Sequence, residues 1–375
     1  MEETSAQAKE YSRQKIHLAI YRLLLTLLFL MVILLSGASL FWRSVVVDWT
    51  QNFYIQVGLY LVVFNLVYDL IFLGLDFYGG FLLEHKFLLS NQTILDWIKQ
   101  GIKKCLLSLA LCIVAGEMLY VFLRHFPKTW WLLVTAGWFL LTVVLGKITP
   151  VLIIPLFYKC NTLSNESLKQ TLLDLCTTCG VGIKRVFEIK LSKETRKANA
   201  AVAGFGKSKR ILLSDTLLRN YSDDEIKGVF AHELAHVCLR HTWKILVFGG
   251  FLSLISFYLA YVSFNKSLGF FGFKQIYDIA AFPLLALIML LIGLVFIPLQ
   301  NGFLRYLEKE ADMFALGHIG NKESFISMLK KLGEQNLSDP APGKIVRILF
   351  YTHPSISERI GYAGKENGKI SLNNS

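Results

Sequence analysis

His232, Glu233 and His236 stand within Ser222–His241, SDDEIKGVFAHELAHVCLRH. On a helix, positions i and i+4 share a face, so the two imidazoles reach one metal ion. Glu233 sits one residue on, where its carboxylate meets a water on that metal. Two histidine ligands and a general base on one helix is the zinc peptidase arrangement. The helix carries its own start signal: Ser222 and Glu225 read as a capping box, with Asp223 and Asp224 in the first turn. Two surface histidines on an amphipathic helix would give the same spacing. The capped start and the flanking sequence weigh against that.

Such a site needs a third ligand, and NGFLRYLEKEADMFALGH offers Glu308, Glu310, Asp312 and His318. Glu308 and Asp312 are four apart and share a helical face, while Glu310 points elsewhere. The simplest geometry makes Glu308 the ligand and Asp312 an acceptor that orients a histidine ligand. A solvated acidic helix is the plainer alternative.

The setting is a membrane. Of 375 residues, 54% are hydrophobic and 18% charged, with mean hydropathy +0.48, too apolar for an ordinary soluble enzyme. Six stretches reach the length a bilayer requires: Leu23–Phe41, Phe53–Leu75, Cys105–Leu123, Trp130–Leu152, Trp243–Phe264 and Ala280–Leu299. The first is longer than a signal-peptide core and lacks a clear cleavage site, so it reads as an anchor. The polar start, Met1–Lys15, reads as a mobile tail. From His236 to Trp243 is roughly 10 Å of helix, which puts the metal beside the membrane face.

The net charge of +12 does not signal nucleic acid, because the basic residues lack aromatic interleaving or a nucleic-acid motif. They follow the positive-inside rule. Lys9, Arg13 and Lys15 precede span one, and Lys86, Lys99, Lys103 and Lys104 separate spans two and three. Both termini and the metal helix then face the cytoplasm. Six cysteines are expected to stay reduced or in the membrane, and the Cys176–Cys179 pair lacks partners for a zinc ribbon. Asn65, Asp69 and Asp76 in span two and Glu117 in span three face either a cavity or an interhelical hydrogen bond.

Between spans four and five, Ser164–Cys179 reads as a helix stopped by Gly180, and Val186–Leu191 and Arg210–Leu213 read as strands. KANAAVAG, Lys197–Gly204, is a third strand of small residues and a candidate sheet edge. An extended peptide is able to pair with such an edge by main-chain hydrogen bonds.

These segments together resemble the CAAX prenyl protease type 1 family of integral-membrane zinc metallopeptidases, and more distantly the heat-shock protease HtpX. The resemblance runs from about Gly79 to Tyr362 through EHKFLLSNQT, PVLIIPLF, NAAVAGFGKSKRILLSDTLL, AHELAHVCLRHTWK, RYLEKEADMFA and HPSISERI. It implies one Zn2+ bound by His232, His236 and Glu308, with Glu233 as catalytic base and Asp312 behind the ligands. It implies substrate contacts at Asn199, Ala200 and His353, with His353 also catalytic, and roles in structure or substrate binding for Arg305 and Arg359. Relatives have seven spans around a large chamber and this chain reads as six, which leaves the chamber's completeness open.

The expected fold is a multi-span α-helical membrane protein with an α+β zincin-type (gluzincin) metallopeptidase domain. Residues 1–157 hold about four spans, 158–242 an extramembrane segment with the metal helix, 243–300 two spans, and 301–375 the remainder of the peptidase domain. The expected activity is endopeptidase cleavage of membrane-associated or prenylated CAAX-type substrates. The alternatives are an HtpX-like quality-control protease and a non-enzymatic scaffold or transporter. Its partners are a peptide or protein substrate and the lipid bilayer of a bacterial inner membrane or endoplasmic reticulum. No nucleic acid is expected, and the sequence sets no oligomeric state. A topology reporter placed after Ser375 or within residues 161–184 should read cytoplasmic. A signal from the opposite side at either position would overturn the charge argument.

Overall fold

The computed structural model describes residues 2–365 apart from Lys184, Phe205 and Gly320. Long apolar runs make the first half helical. Helix α1 spans Glu2–Leu35, so the polar start is helix rather than a loose tail. Ala8 and Tyr11 are buried, Tyr11 Oη donates to Glu84 Oε1 at 2.6 Å, and Lys15 Nζ reaches the same oxygen at 2.8 Å. Lys197 Nζ reaches the other oxygen at 2.9 Å, and a carboxylate shared by three donors overrides the mobility that polar composition suggests. The first span therefore ends at Leu35 rather than Phe41: Gly37 takes φ +77°, and α2 (Ala38–Trp49) begins a separate helix.

Helix α3 (Phe53–Phe77) starts under Asn52, whose side chain accepts from the Tyr54 and Ile55 N–H groups. It passes through a π-helical turn into α4 (Leu83–Lys86). Helix α5 (Ile94–His125) starts under Thr93 and absorbs the segment expected to precede span three. Helix α6 (Trp130–Ile148) runs through a π-helical segment containing Pro150, which lacks an N–H for the helical ladder, into α7 (Ile154–Phe157). The intramembrane polar residues divide between the two expectations. Asn65 Nδ2 donates across to Cys112 Sγ at 3.0 Å, tying α3 to α5. Asp69 and Asp76 line a cavity of about 1890 Å3, yet each has a partner, Cys105 and Arg22 respectively.

The extramembrane part follows as β1 (Cys160–Thr162), α8 (Glu166–Thr178), β2 (Val186–Ile189), β3 (Ala200–Ala203), β4 (Arg210–Ser214), α9 (Asp215–Asn220) and α10 (Asp223–Cys238). The sheet order is β1-β2-β4-β3, with β2 and β4 parallel and the other pairs antiparallel. That leaves β3 at an edge. Gly204 ends β3 at φ +103°, where a Cβ would stand 2.5 Å from the Ser208 carbonyl oxygen, so only glycine fits.

Arg240, at φ +55°, breaks α10 from α11 (His241–Ser267). Helix α12 (Phe282–Ile319) has 38 residues, about 57 Å of helix. It crosses the expected divide at residues 300 and 301 without interruption, so one helix serves both membrane and peptidase parts. Helices α13 (Lys322–Gln335), α14 (Lys344–Phe350) and α15 (Ile356–Lys365) complete the fold. Among the described residues, six helices are long and apolar enough to cross a membrane.

Two cores result. One joins α1, α3, α5, α6, α11 and α12 within the membrane part. The other packs Leu172, Ile211, Leu213, Phe230, Leu234 and Phe325 around α10. Burial of Phe230 stabilises the metal helix by about 2 kcal/mol.

The start of α10 is pinned from outside as well. Glu225, 4% exposed, accepts from Ser222 N–H at 2.9 Å, Ser327 Oγ at 2.8 Å and Lys331 Nζ at 2.7 Å, linking α10 to α13. Burial opposes its charge most, but Lys331, the Ser222 N–H and Ser327 together outweigh burial and hold its carboxyl below the ordinary 4.5. A depressed folded value means stabilisation that is complete above pH 4.5 and lost as pH falls through the folded pKa. Glu225→Gln should cost about 2 kcal/mol in thermal unfolding at neutral pH. The difference from wild type should shrink below that pH window, and a constant difference would contradict the ion-pair account.

Candidate metal centre and active site

Helix α10 carries His232, Glu233 and His236, and α12 lies directly against it. His232 is 6% exposed; its Nε2 is 3.1 Å from Glu308 Oε2, and its Nδ1 is 2.9 Å from Asp312 Oδ1. His236 Nε2 is 3.6 Å from Glu308 Oε1. One ligand atom from each of His232, His236 and Glu308 falls within 4.8 Å of the other two. Two imidazole nitrogens and a carboxylate oxygen are a donor set that suits zinc.

The second nitrogens are held as metal ligation requires. Asp312 takes the Nδ1–H of His232, which turns Nε2 toward Glu308. Asp312 is itself fully buried and accepts from Arg359 Nη2 at 2.6 Å and Nε at 2.9 Å. His236 Nδ1 meets His241 Nδ1 at 3.0 Å, and His241 Nε2 meets Glu310 Oε2 at 3.2 Å. The tautomers that satisfy this chain place one proton in each gap and leave His236 Nε2 free to ligate.

The two imidazoles differ in charge. Burial lowers His236 to about 4, with the His232 charge adding to the effect, so its imidazole is neutral. Burial also opposes charge on His232, but hydrogen bonds to Asp312 and Glu308 outweigh it and raise the group to about 9, so its Nε2 carries a proton toward Glu308 that a metal ion would displace. Glu308, held ionised against burial by the neighbouring histidines, brings negative charge to the place where the three ligand atoms converge. Glu233 makes no hydrogen bond among the described residues, and burial pushes its carboxyl up to about 7.

The remaining expected residues surround a cleft of about 400 Å3, lined by Asn199, Ala200, His232, Glu233 and His353 among others. His353 Nε2 lies 3.4 Å from Glu308 Oε1, on the open side of the site. Arg305 and Arg359, with expected roles in structure or substrate binding, both donate to protein groups. Arg305 Nη1 donates to the Tyr351 carbonyl at 2.6 Å and the Arg347 carbonyl at 2.9 Å, anchoring the loop that presents His353. Arg359 neutralises Asp312. His318 donates Nδ1–H to the Phe314 carbonyl of its own helix and takes no part in the site.

Sequence reasoning missed His241 and the use of Glu310. His241 is 1% exposed and lies five residues after His236, a spacing that does not share a helical face. Only the left-handed turn at Arg240 brings it back.

Comparison with known proteins fits this site and fold. Residues 162–366 match peptidase family M48, and residues 1–159 match the CAAX prenyl protease N-terminal family, described as five membrane helices. The chain belongs to peptidase family M48. In residues 1–159 it has four helices long enough to cross a membrane, plus the short α2. It is 29% identical to the metalloprotease YhfN of Bacillus subtilis over 96% of this chain and 85% of that protein. It is 30% identical to CAAX prenyl protease 1 of Saccharomyces cerevisiae over 78% of this chain and 68% of that protein. The crystal structure of S. mikatae Ste24p superposes with a TM-score of 0.82 at 27% identity, covering 96% of this chain and 88% of that one. The protein is an integral, multi-pass membrane metalloendopeptidase that acts on peptide or protein substrates.

Purified protein should carry about one zinc per chain, and His232→Ala, His236→Ala and Glu308→Ala should each lose most of it. His241→Ala should keep the ligands but weaken metal affinity roughly ten- to a hundredfold, because it releases the second nitrogen of His236. Full zinc in Glu308→Ala, or unchanged affinity in His241→Ala, would contradict the respective assignment.

Proposed function

We propose that the chain is a zinc endopeptidase with its site on the cytoplasmic face of the membrane, cutting prenylated CAAX-type substrates. His232, His236 and Glu308 would hold the ion, whose Lewis acidity acidifies water and polarises a peptide carbonyl. Glu233 takes the proton of the attacking water on its carboxylate and then passes it to the leaving amine. Its elevated pKa suits both halves of that transfer. His353 donates toward the oxygen on which charge develops. Asp312 and His241 fix the two imidazoles, and the outer edge of β3 holds the substrate backbone.

The observation that carries the substrate reading is the cavity between α1, α3 and α5. Its wall includes Leu18, Leu66, Leu70, Leu73, Trp97 and Ile98, and it meets the catalytic cleft at Ala198, Asn199 and Asn336. A mostly apolar space with charged residues on its wall, opening directly onto the edge strand, suits a peptide that carries a lipid. The CAAX prenyl protease named among the yeast relatives supports the same substrate class. The basic residues around Lys9–Lys15 and Lys99–Lys104 support the cytoplasmic placement.

Glu233→Gln should keep zinc while turnover of a farnesylated CAAX peptide falls by up to roughly ten-thousandfold. His353→Ala should keep both zinc and base and lose roughly a hundred- to a thousandfold. The unprenylated form of the peptide should show a higher KM. Equal KM for the two forms would favour a general membrane-protein protease, and unchanged turnover in Glu233→Gln would sink the mechanism.

A further inference from the structure

The free edge of β3 is not open along its whole length. Asn199 faces β4: Ser214 N–H donates to the Asn199 carbonyl at 2.9 Å, and Asn199 N–H donates to Ser214 Oγ at 2.9 Å. Ala201 pairs with Leu212 in the same ladder. Backbone groups alternate from side to side along a strand, so those of Ala198, Ala200 and Val202 point away from β4.

At Ala198 both groups are already taken. Its N–H donates to Asn336 Oδ1 at 3.0 Å, and Asn336 Nδ2 donates to its carbonyl at 3.2 Å. Two residues earlier, Gln335 Nε2 donates to the Arg196 carbonyl at 2.6 Å. Two consecutive amide side chains at the end of α13 thus fill the place of a neighbouring strand along residues 196–198. From Ala200 onward, no protein group among the described residues does the same.

Asn336 is held firmly in that position. It caps α13, with its N–H donating to the Leu332 carbonyl at 3.0 Å, and Ser338 N–H closes onto the Gly333 carbonyl at 2.9 Å. Between them Leu337 takes φ +48°, a left-handed conformation unfavourable for a leucine. Burial of Leu337 beside Ala8, Tyr11, Leu83 and Leu89 offsets that cost. Ala198, Asn199 and Asn336 also form the wall shared by the catalytic cleft and the larger cavity.

We propose that Asn336 is the register stop of the substrate-binding edge. It is a positioning residue: main-chain pairing of a substrate with β3 ends at Ala200 because the next outward-facing peptide is occupied. That fixes which peptide bond lies beside Glu233 and turns the remaining substrate off the sheet toward the cavity. The proposal rests on the reading of β3 as the substrate's edge. Without Asn336 a bound strand gains a further pairing position, and the shift it allows is two residues, the repeat of outward-facing groups.

The test uses the full chain in lipid nanodiscs, with a farnesylated CAAX peptide and an unprenylated membrane-protein fragment as probes. Cleaved bonds are identified by mass spectrometry, and zinc content and melting temperature are measured on the same preparations. Wild type should cut one dominant bond in a probe. Asn336→Ala should keep zinc and raise the share of a product displaced by two residues roughly tenfold, the worth of the freed backbone bonds. Asn336→Asp keeps the acceptor for Ala198 N–H and loses the donor, so it should show the same displaced product at a smaller share. It carries the test should the alanine variant fail to fold. A structural role alone would lower stability and rate without moving the cut. Cleavage of only the wild-type bond by a folded variant would overturn the proposal, as would several equal cuts by wild type. Failure of wild type to cut either probe would overturn the β3 reading itself, and this proposal with it.

Discussion

The buried carboxylate of Asp312 is the interaction on which the rest of the site depends. A charge with no solvent exposure needs partners that neutralise it and fill its lone pairs. Asp312 finds them in His232 from α10 and Arg359 from α15, so three helices meet at one group. The Arg359 charge keeps Asp312 ionised, and the ionised form is the one that holds His232 in the tautomer able to ligate. Removing either partner strands the other charge in the core, which is why the arrangement acts as a unit. His241 and Glu310 repeat the device for His236 closer to the surface, where exposure makes the pairing weaker.

Helix α12 ties this chemistry to the membrane. One unbroken helix carries apolar residues through a bilayer and then presents Glu308 and Asp312 to the metal helix. Helix α11 begins just after the turn at Arg240 and packs against α12. The centre therefore has a fixed position at the membrane face, beside a cavity that continues between the spans. Ser327 and Lys331, which hold Glu225, lie on α13, and Asn336 caps its end, so this helix registers the metal helix and the edge strand against one another.

The placing of His232, Glu233 and His236 on one helix and the capping box were legible because each depends on spacing within that helix. Glu308 and Asp312 were legible for the same reason, their four-residue interval. The six spans were legible from apolar length, but their ends were not. Leu35 ends the first span because Gly37 adopts a left-handed conformation, and Ile94 begins the third because Thr93 caps it. The helical start at Glu2 depends on Tyr11 and Lys15 meeting Glu84, a contact across some seventy positions that no local pattern contains. His241, the anchoring of the His353 loop by Arg305 and the clamp at Ala198 are equally long-range or depend on one unusual φ. Sequence patterns report the period of an element, not what its end will touch.

The central claim is that one metal ion sits between two imidazoles and a carboxylate beside the membrane. Three thiols, Cys176, Cys179 and Cys238, share the peptidase core and are the competing soft ligands. X-ray absorption at the zinc edge, on the purified full chain, separates the two directly. The account predicts only nitrogen and oxygen neighbours, at about 2.0–2.2 Å, with an imidazole scattering pattern. A sulfur shell at about 2.3 Å would place the metal on the cysteines and contradict the account.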